Sequence, residues 1–160
     1  MSKTQFLPTY KGCLVCGQPE ENQSTLNLRF RVVKNGVETP FKADSRQTGY
    51  EKIVHGGVIC SLLDETIGWA VAVDIKKYFV TGELNVRFVK PLPIDLAVTV
   101  RGRCLEHKSR YSIAGGEIVD AEGNIYAKAT GKFFLMPDDD AKKVDLYLTY
   151  QENDLHVLSD

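Results

Sequence analysis

The sequence predicts an α+β domain in which one antiparallel sheet of about six strands wraps around a single central helix. The segment 58–73 is apolar nearly all round and predicts a helix that is buried on every side. Segments in which apolar and polar residues alternate precede and follow it, as expected for half-buried strands. Strands and helices do not alternate along the chain, which argues against a parallel sheet built from βαβ units.

Two strands joined by a hairpin are predicted before the helix. Residues 1–24 form a polar, irregular N-terminal segment. Strict alternation then indicates a strand with its apolar positions at Leu26, Leu28, Phe30 and Val32. Asn35-Gly36 follows, which is the strongest short hairpin signal. The return strand continues with Val37, Thr39 and Phe41. The polar residues 44–53 predict a loop.

The rest of the chain predicts strands. Gly68 and several β-branched residues lower the helix propensity of 58–73, so packing must stabilise that helix. Four strands follow, joined by short turns, at 80–90, 96–105, 111–119 and 125–135. The first of them ends at Pro91, because proline cannot continue a ladder. Residues 137–160 form a C-terminal extension, in which 144–150 is compatible with a strand or a helix.

The composition fits one domain, and we expect residues 1–160 to form a single unit. The chain has 43% apolar residues, and 20 Lys and Arg against 21 Asp and Glu give a net charge of −1. This balance does not favour a nucleic acid or an anionic membrane as partner. The N-terminus lacks the apolar core of a secretory signal, and acidic residues interrupt the most apolar segment. We therefore expect a cytoplasmic protein.

The cysteines suggest reduced thiols and no metal site. Cys13 and Cys16 have the spacing of zinc knuckles and redox pairs. A structural zinc site normally needs four ligands, but no second Cys-x-x-Cys pair follows and the three histidines are scattered. The sequence therefore predicts two thiols in a tight loop, with no metal and no organic cofactor.

The residues from His55 to Asp64 are the best candidates for chemistry. Glycines 56 and 57 allow a ligand close to the backbone, at the positive end of the helix dipole. A carbonyl oxygen against the Gly57 N–H would be polarised as in an oxyanion hole. Burial of Asp64 in an apolar helix would raise its pKa and prepare it to act as a base or nucleophile. Alternatively, the glycines form a plain turn, and Asp64 faces solvent or a structural partner.

The spacing of these residues predicts a dimer. Gly57 and Asp64 are seven residues apart, which is about 10 Å along a helix axis. One substrate carbonyl cannot touch both within one chain, so a second copy must supply one of them if both act in one reaction. Glu65 is rotated by about 100° from Asp64, so only one of the two carboxylates can face the same site.

The segment from His55 to Asp64 resembles the signature of hotdog-fold acyl-CoA thioesterases of the PaaI-like, phenylacetate-pathway type. That pattern is His-Gly-Gly, six residues, and then an acidic residue on the central helix. Other segments are similar to the same family, namely 13–17 with 26–30, 81–91 and 119–131. The resemblance implies one hotdog domain that hydrolyses acyl-CoA or acyl-carrier-protein thioesters, as a homodimer or a dimer of dimers.

The resemblance also implies roles for individual residues. Gly57 would donate its N–H to the thioester carbonyl, and His55 would shape or assist that end. Asp64 of the opposite subunit would attack directly or activate water, and Thr81 would orient the water. Around the acyl-CoA substrate we expect Gly56, Glu65 and Tyr50. Lys or Arg should bind the CoA phosphates, with candidates at positions 87, 90, 101, 103, 108 and 110.

One position departs from the family pattern. Many members carry Asn or Gln where Gly49 stands, and Tyr50 or Gln47 are the nearby replacements. Two other functions stay open for a hotdog domain. One is binding of acyl-CoA without turnover. The other is a hydratase or dehydratase reaction, which usually pairs an Asp with a His about one turn away, whereas no His follows Asp64 within five residues.

Overall fold

The computed structural model describes residues 4–158 and confirms the predicted α+β architecture, with one long central helix and a six-stranded antiparallel sheet. The strand order in this sheet is β2-β3-β5-β6-β7-β4. The elements are β1 (Thr9–Tyr10), β2 (Arg31–Val33), β3 (Gly36–Lys42), a 3-10 turn (Ser45–Gln47), α1 (Gly56–Ile75), β4 (Phe79–Phe88), β5 (Ala97–His107), β6 (Tyr111–Asp120), β7 (Ile125–Leu135), α2 (Asp138–Leu146) and β8 (Leu148–Thr149). Within residues 4–158, no helix is long and apolar enough to cross a membrane.

The strand before the hairpin is shorter than the alternation predicted. The prediction began it at residue 26, whereas β2 begins only at residue 31. Asn27 has φ +50°, a left-handed conformation that interrupts an extended strand. The Leu28 N–H then donates to the Val15 carbonyl at 2.9 Å, outside the main sheet. The hairpin itself is confirmed, with Val33 paired to Gly36 at its tip.

Two glycines of the sheet allow the close packing of α1 on β5 and β6. A Cβ on Gly102 would lie 3.0 Å from the Ile67 Cα, and one on Gly116 would lie 2.6 Å from the Ile67 Cγ2. The helix therefore approaches the backbone of the sheet closely. This side of α1 and the sheet form the main core, whose largest fully buried members include Leu62, Leu63, Ile67, Val71, Val100, Ile118 and Phe133.

Segments from both ends of the chain cover the other side of α1. β1 and β8 pair as a small antiparallel sheet, in which Thr9 lies opposite Thr149. Their residues and α2 enclose a second apolar cluster that includes Leu7, Val15, Phe30, Trp69, Tyr78, Ala141, Leu148 and Val157. This second cluster explains why α1 is apolar nearly all round. The segment 144–150, which was compatible with either element, holds the end of α2 followed by β8.

A partly buried ion pair connects the C-terminal extension to the N-terminal half of the chain. Arg29 donates to Asp154 at 2.7 Å, and the Asp154 side chain is only 3% exposed. The same carboxylate accepts the Gln151 N–H at 2.8 Å. The pair thus connects the chain just before β2 to the turn after β8.

Candidate active site

Asp64 and Thr81 form a hydrogen-bonded pair between the central helix and the neighbouring edge strand. The Thr81 hydroxyl donates to Asp64 Oδ1 at 2.8 Å. Asp64 lies in the third turn of α1 and is half-buried, whereas Thr81 lies near the start of β4. The pairing of β4 with β7 shifts between Thr81 and Glu83, and a bulge of this kind re-aims a side chain. A side chain on the intervening Gly82 would collide with the Phe134 ring, so glycine fits this bulge.

A cavity of about 280 Å³ opens beside this pair. Its polar wall contains Asp64, Thr81, Cys13 and Glu65. The other lining residues are mainly aromatic or aliphatic, namely Tyr10, Gly68, Trp69, Ala72, Tyr78, Phe79, Phe133, Val144 and Leu148. A mostly apolar chamber with a few polar groups on one wall suits a ligand that has an apolar part and one reactive group.

His55 caps the first turn of α1 with its side chain. Its Nδ1 accepts the Gly57 N–H at 2.9 Å, while its backbone is extended at φ −60° and ψ 135°. The Gly57 N–H, which the sequence suggested would be free, therefore has a partner in this conformation. Because Nδ1 accepts, a neutral His55 ring carries its hydrogen on Nε2. Both residues are exposed, so the ring can present this Nε2–H to a ligand.

The loop before α1 contains no simple replacement for the amide that many family members carry. A Cβ on Gly49 would lie 2.9 Å from the His55 Cα, so this position is filled by close backbone packing. Gln47 uses its side-chain oxygen to accept the Asp44 N–H at 2.8 Å, in a capping box of the 3-10 turn. Tyr50 is 86% exposed and points away from the core.

The other residues expected around the substrate lie at two different places. Gly56 opens α1, and a Cβ there would lie 3.4 Å from the exposed Phe88 ring. Glu65 instead lines the cavity and contacts the loop that contains Cys13. The Trp69 indole N–H donates to Glu65 Oε1 at 3.3 Å. Burial raises the pKa of Glu65 to about 7, and the nearby Cys13 thiol contributes to this rise.

The contact between Cys13 and Glu65 was missed by sequence reasoning. The Cys13 Sγ lies 3.6 Å from each Glu65 oxygen, although 52 residues separate the two in sequence. The ligand atoms of Cys13, Cys16 and Glu65 all lie within 4.8 Å of one another. Hydrogen bonds from Cys16 lower the pKa of the Cys13 thiol, whereas the interaction with Cys13 and burial raise that of Cys16. No local pattern could have revealed this contact, because it depends on the fold of the N-terminal segment.

A larger groove, of about 830 Å³, lies on the other face of the sheet. It contains three of the basic residues proposed to bind phosphates, at positions 87, 101 and 103. Gly102 packs against α1, so Arg101 and Arg103 on either side of it point to the opposite face. Arg101 pairs with Glu117 at 2.7 Å. Within one chain, these arginines are therefore separated from Asp64 by the sheet.

Comparisons with known proteins agree with this architecture. The family model described as thioesterase superfamily matches residues 51–127. A protein of Saccharolobus solfataricus with a provisional esterase name is 33% identical over 101 residues, which cover 62% of this chain and 70% of that protein. The crystal structure of a thioesterase superfamily protein is 26% identical with a TM-score of 0.67, covering 71% of this chain and 56% of that one.

A second similar structure contains a ligand. It is a hypothetical thioesterase of Streptococcus pneumoniae with coenzyme A, which is 23% identical with a TM-score of 0.63 and covers 69% of this chain and 89% of that one. The sequence matches show that the chain belongs to the thioesterase superfamily. The structural similarities show its hotdog fold.

Proposed function

We propose that this protein hydrolyses acyl-CoA or acyl-carrier-protein thioesters, as a PaaI-like member of its superfamily. The observation that carries the proposal is the hydrogen-bonded pair of Asp64 and Thr81 on the wall of a mostly apolar cavity. The cavity has room for an acyl group, and the proposal places the thioester carbon of such a group beside the Asp64–Thr81 pair on its wall. The similar structure that contains coenzyme A supports the choice of a CoA ester.

The proposed reaction uses Asp64 as a general base. Thr81 donates to Oδ1, which leaves Oδ2 free to accept a proton from a water molecule. The water oxygen attacks the thioester carbon, and the carbonyl oxygen takes up the negative charge. Collapse of this intermediate breaks the carbon–sulfur bond, and the CoA sulfur leaves with the proton that Asp64 had accepted. Direct attack by Asp64, through an anhydride that water then hydrolyses, is the second possible route.

The carbonyl oxygen needs a hydrogen-bond donor, for which the start of α1 offers two. The His55 ring presents its Nε2–H if the bond from Gly57 to Nδ1 persists. The Gly57 N–H becomes available if the exposed ring rotates away. About 10 Å of helix separates this end of α1 from Asp64 of the same chain, so the donor and the base acting on one thioester come from two chains.

The edge of the main sheet supports such a dimer. β4 pairs with β7 on one side only and, within residues 4–158, has no strand on its other side. It is ten residues long and exposes Val80 and Phe88, which are 52% and 54% exposed. A long, exposed edge strand is a ready template for pairing with another chain. Pairing of two β4 strands would bring the Thr81 regions of both chains to one interface.

The test measures turnover of a panel of acyl-CoA esters with short, long and aromatic acyl groups. Release of the CoA thiol is the readout. A blank without substrate corrects for the four native cysteines. Asp64→Asn should lower kcat/KM at least about 100-fold, the usual contribution of a general base. Asp74→Asn is the matched control, because this exposed carboxylate lies on the same helix outside the cavity. Equal activity of the Asp64→Asn variant and the wild type would refute the catalytic assignment.

Binding of acyl-CoA without turnover is the second candidate. The specific observation in its favour is that the Gly57 N–H already has a partner in His55. In that case, calorimetry would detect binding of the CoA esters, while no CoA thiol would be released by the wild type at any chain length.

A further inference from the structure

The loop from Cys13 to Gly17 has the geometry of a metal-binding knuckle. The Cys13 Sγ accepts the N–H groups of Val15 and Cys16 at 3.3 and 3.4 Å. The Cys16 Sγ accepts the Tyr10 N–H at 3.4 Å. For Cys13, hydrogen bonds from N–H groups to the sulfur favour the thiolate form, which is the form that binds metals. A Cβ on Gly17 would collide with the Cys13 carbonyl oxygen, so glycine allows this tight turn.

Glu65 supplies a third donor from the central helix. Both of its oxygens lie 3.6 Å from the Cys13 Sγ. In a tetrahedral zinc site, with Zn–S of about 2.3 Å and Zn–O of about 2.0 Å, a sulfur and an oxygen ligand lie about 3.5 Å apart. The observed separation therefore needs little adjustment to admit the ion. The Trp69 N–H, which donates to Oε1, would hold the carboxylate in this orientation.

We propose that Cys13, Cys16 and Glu65 bind one divalent, thiophilic cation, with Zn²⁺ as the best match. Two sulfur ligands select zinc over magnesium or calcium, and the carboxylate is a common third zinc ligand. Three acidic groups meet here, of which Cys16 is buried and the other two are partly buried, and Zn²⁺ would offset the negative charge of their ionised forms. The sequence alone offered only the two cysteines, which is why it predicted no metal.

The ion would fasten the N-terminal segment to α1. Cys13 and Glu65 both line the cavity, so the fourth coordination position would face it and hold water or a ligand. This proposal is independent of the thioesterase activity, because the ligands differ from Asp64 and Thr81 and the readout is metal binding.

The test uses untagged, reduced full-length protein. Metal analysis after dialysis against Zn²⁺ should find one zinc per chain, and Co²⁺ should give the absorption band of cobalt–thiolate bonds. Glu65→Gln and Cys13→Ser should each weaken binding at least about tenfold, since even the partners of metal ligands contribute that much. Cys104→Ser, which removes a thiol outside the cluster, should leave binding unchanged.

Circular dichroism of each variant shows whether it folds. Because Glu65→Gln keeps the shape of its side chain, it tests the proposal even where Cys13→Ser does not fold. Less than one zinc per chain in the reduced wild type would overturn the proposal. So would full binding by folded Glu65→Gln, or a wild type that binds no Zn²⁺ and instead forms a Cys13–Cys16 disulfide in air, detected by mass spectrometry.

Discussion

Replacement of Gly116 by alanine tests the close packing of α1 on the sheet. The new Cβ would lie 2.6 Å from the Ile67 Cγ2 and 2.6 Å from the Arg101 carbonyl oxygen. Favourable contacts between carbon atoms need about 3.5–4.0 Å, so the helix or the strand must move by about 1 Å. Rotation of a side chain cannot relieve the contact with Arg101, because its carbonyl belongs to the backbone of β5.

The expected loss follows from two opposing terms. Overpacking of a core costs about 1–3 kcal/mol of stability. The change from glycine to alanine stabilises by about 0.4–1 kcal/mol, because it lowers the conformational entropy of the unfolded chain. A net loss of about 1–2 kcal/mol should lower Tm by about 2–8 °C for a domain of this size. Thermal unfolding followed by circular dichroism at one fixed protein concentration measures it, because Tm depends on concentration if the chain dimerises.

Gly68→Ala is the matched control for the same chemical change. Gly68 lies inside α1, and its added Cβ would be 3.5 Å from the Phe133 ring, an ordinary contact. Alanine is favoured over glycine in a helix by about 1 kcal/mol, so Tm should rise by about 2–4 °C. A Gly116→Ala variant as stable as the wild type would show that the helix does not lie as close to the sheet as described.

Substitutions at three further positions, each with a control variant, test other parts of the molecule. Thr81→Val removes the hydrogen-bond donor to Asp64 and should lower kcat/KM about 10- to 100-fold, whereas Thr81→Ser should keep most activity. Equal rates in the two variants would contradict the role of the hydroxyl. His55→Ala should destabilise by about 1 kcal/mol through loss of the helix cap, and His55→Asn should restore stability in urea unfolding but not activity if the ring binds the carbonyl. Asp154→Asn should lower the free energy of unfolding by about 2–3 kcal/mol, because it leaves the partly buried guanidinium of Arg29 without its counter-charge. Asp140→Asn, in an exposed pair, should change the free energy of unfolding by less than about 1 kcal/mol.

The sequence predicted those parts of the fold that leave a local periodic signal. The apolar helix, the Asn35-Gly36 hairpin and the four strands after the helix were all found within a few residues of their ends. The strand before the hairpin was predicted too long, because alternation does not reveal that Asn27 adopts a left-handed conformation. What covers the second side of α1 was also beyond prediction, since it depends on pairing between β1 and β8, from opposite ends of the chain.

The candidate site was predictable to a similar degree. The resemblance assigned Asp64 and Thr81 to one reaction, but it did not predict the hydrogen bond between them within one chain. The contact of Glu65 with Cys13 has no local signal. The hydrogen bond from the Gly57 N–H to His55 could have been anticipated. A polar side chain just before a helix often accepts the N–H two residues later, and His55 stands at that position.

In the roles proposed for Asp64 and Glu65, one helix would serve two purposes with neighbouring carboxylates. Their rotation by about 100° gives Asp64 a hydroxyl partner on β4 and gives Glu65 a thiol partner in the N-terminal loop. Both nevertheless line one cavity, so the prediction that only one of the two could face the same site was wrong. The remaining walls of this cavity include Tyr10, Val144 and Leu148 from the two chain ends. The helix and β4 would thus determine the reaction, while the terminal segments would determine which acyl group fits. Loss of an ion at Glu65 should then change the preference for acyl length more than the rate on the best substrate, because it would loosen a wall of the cavity and not the base.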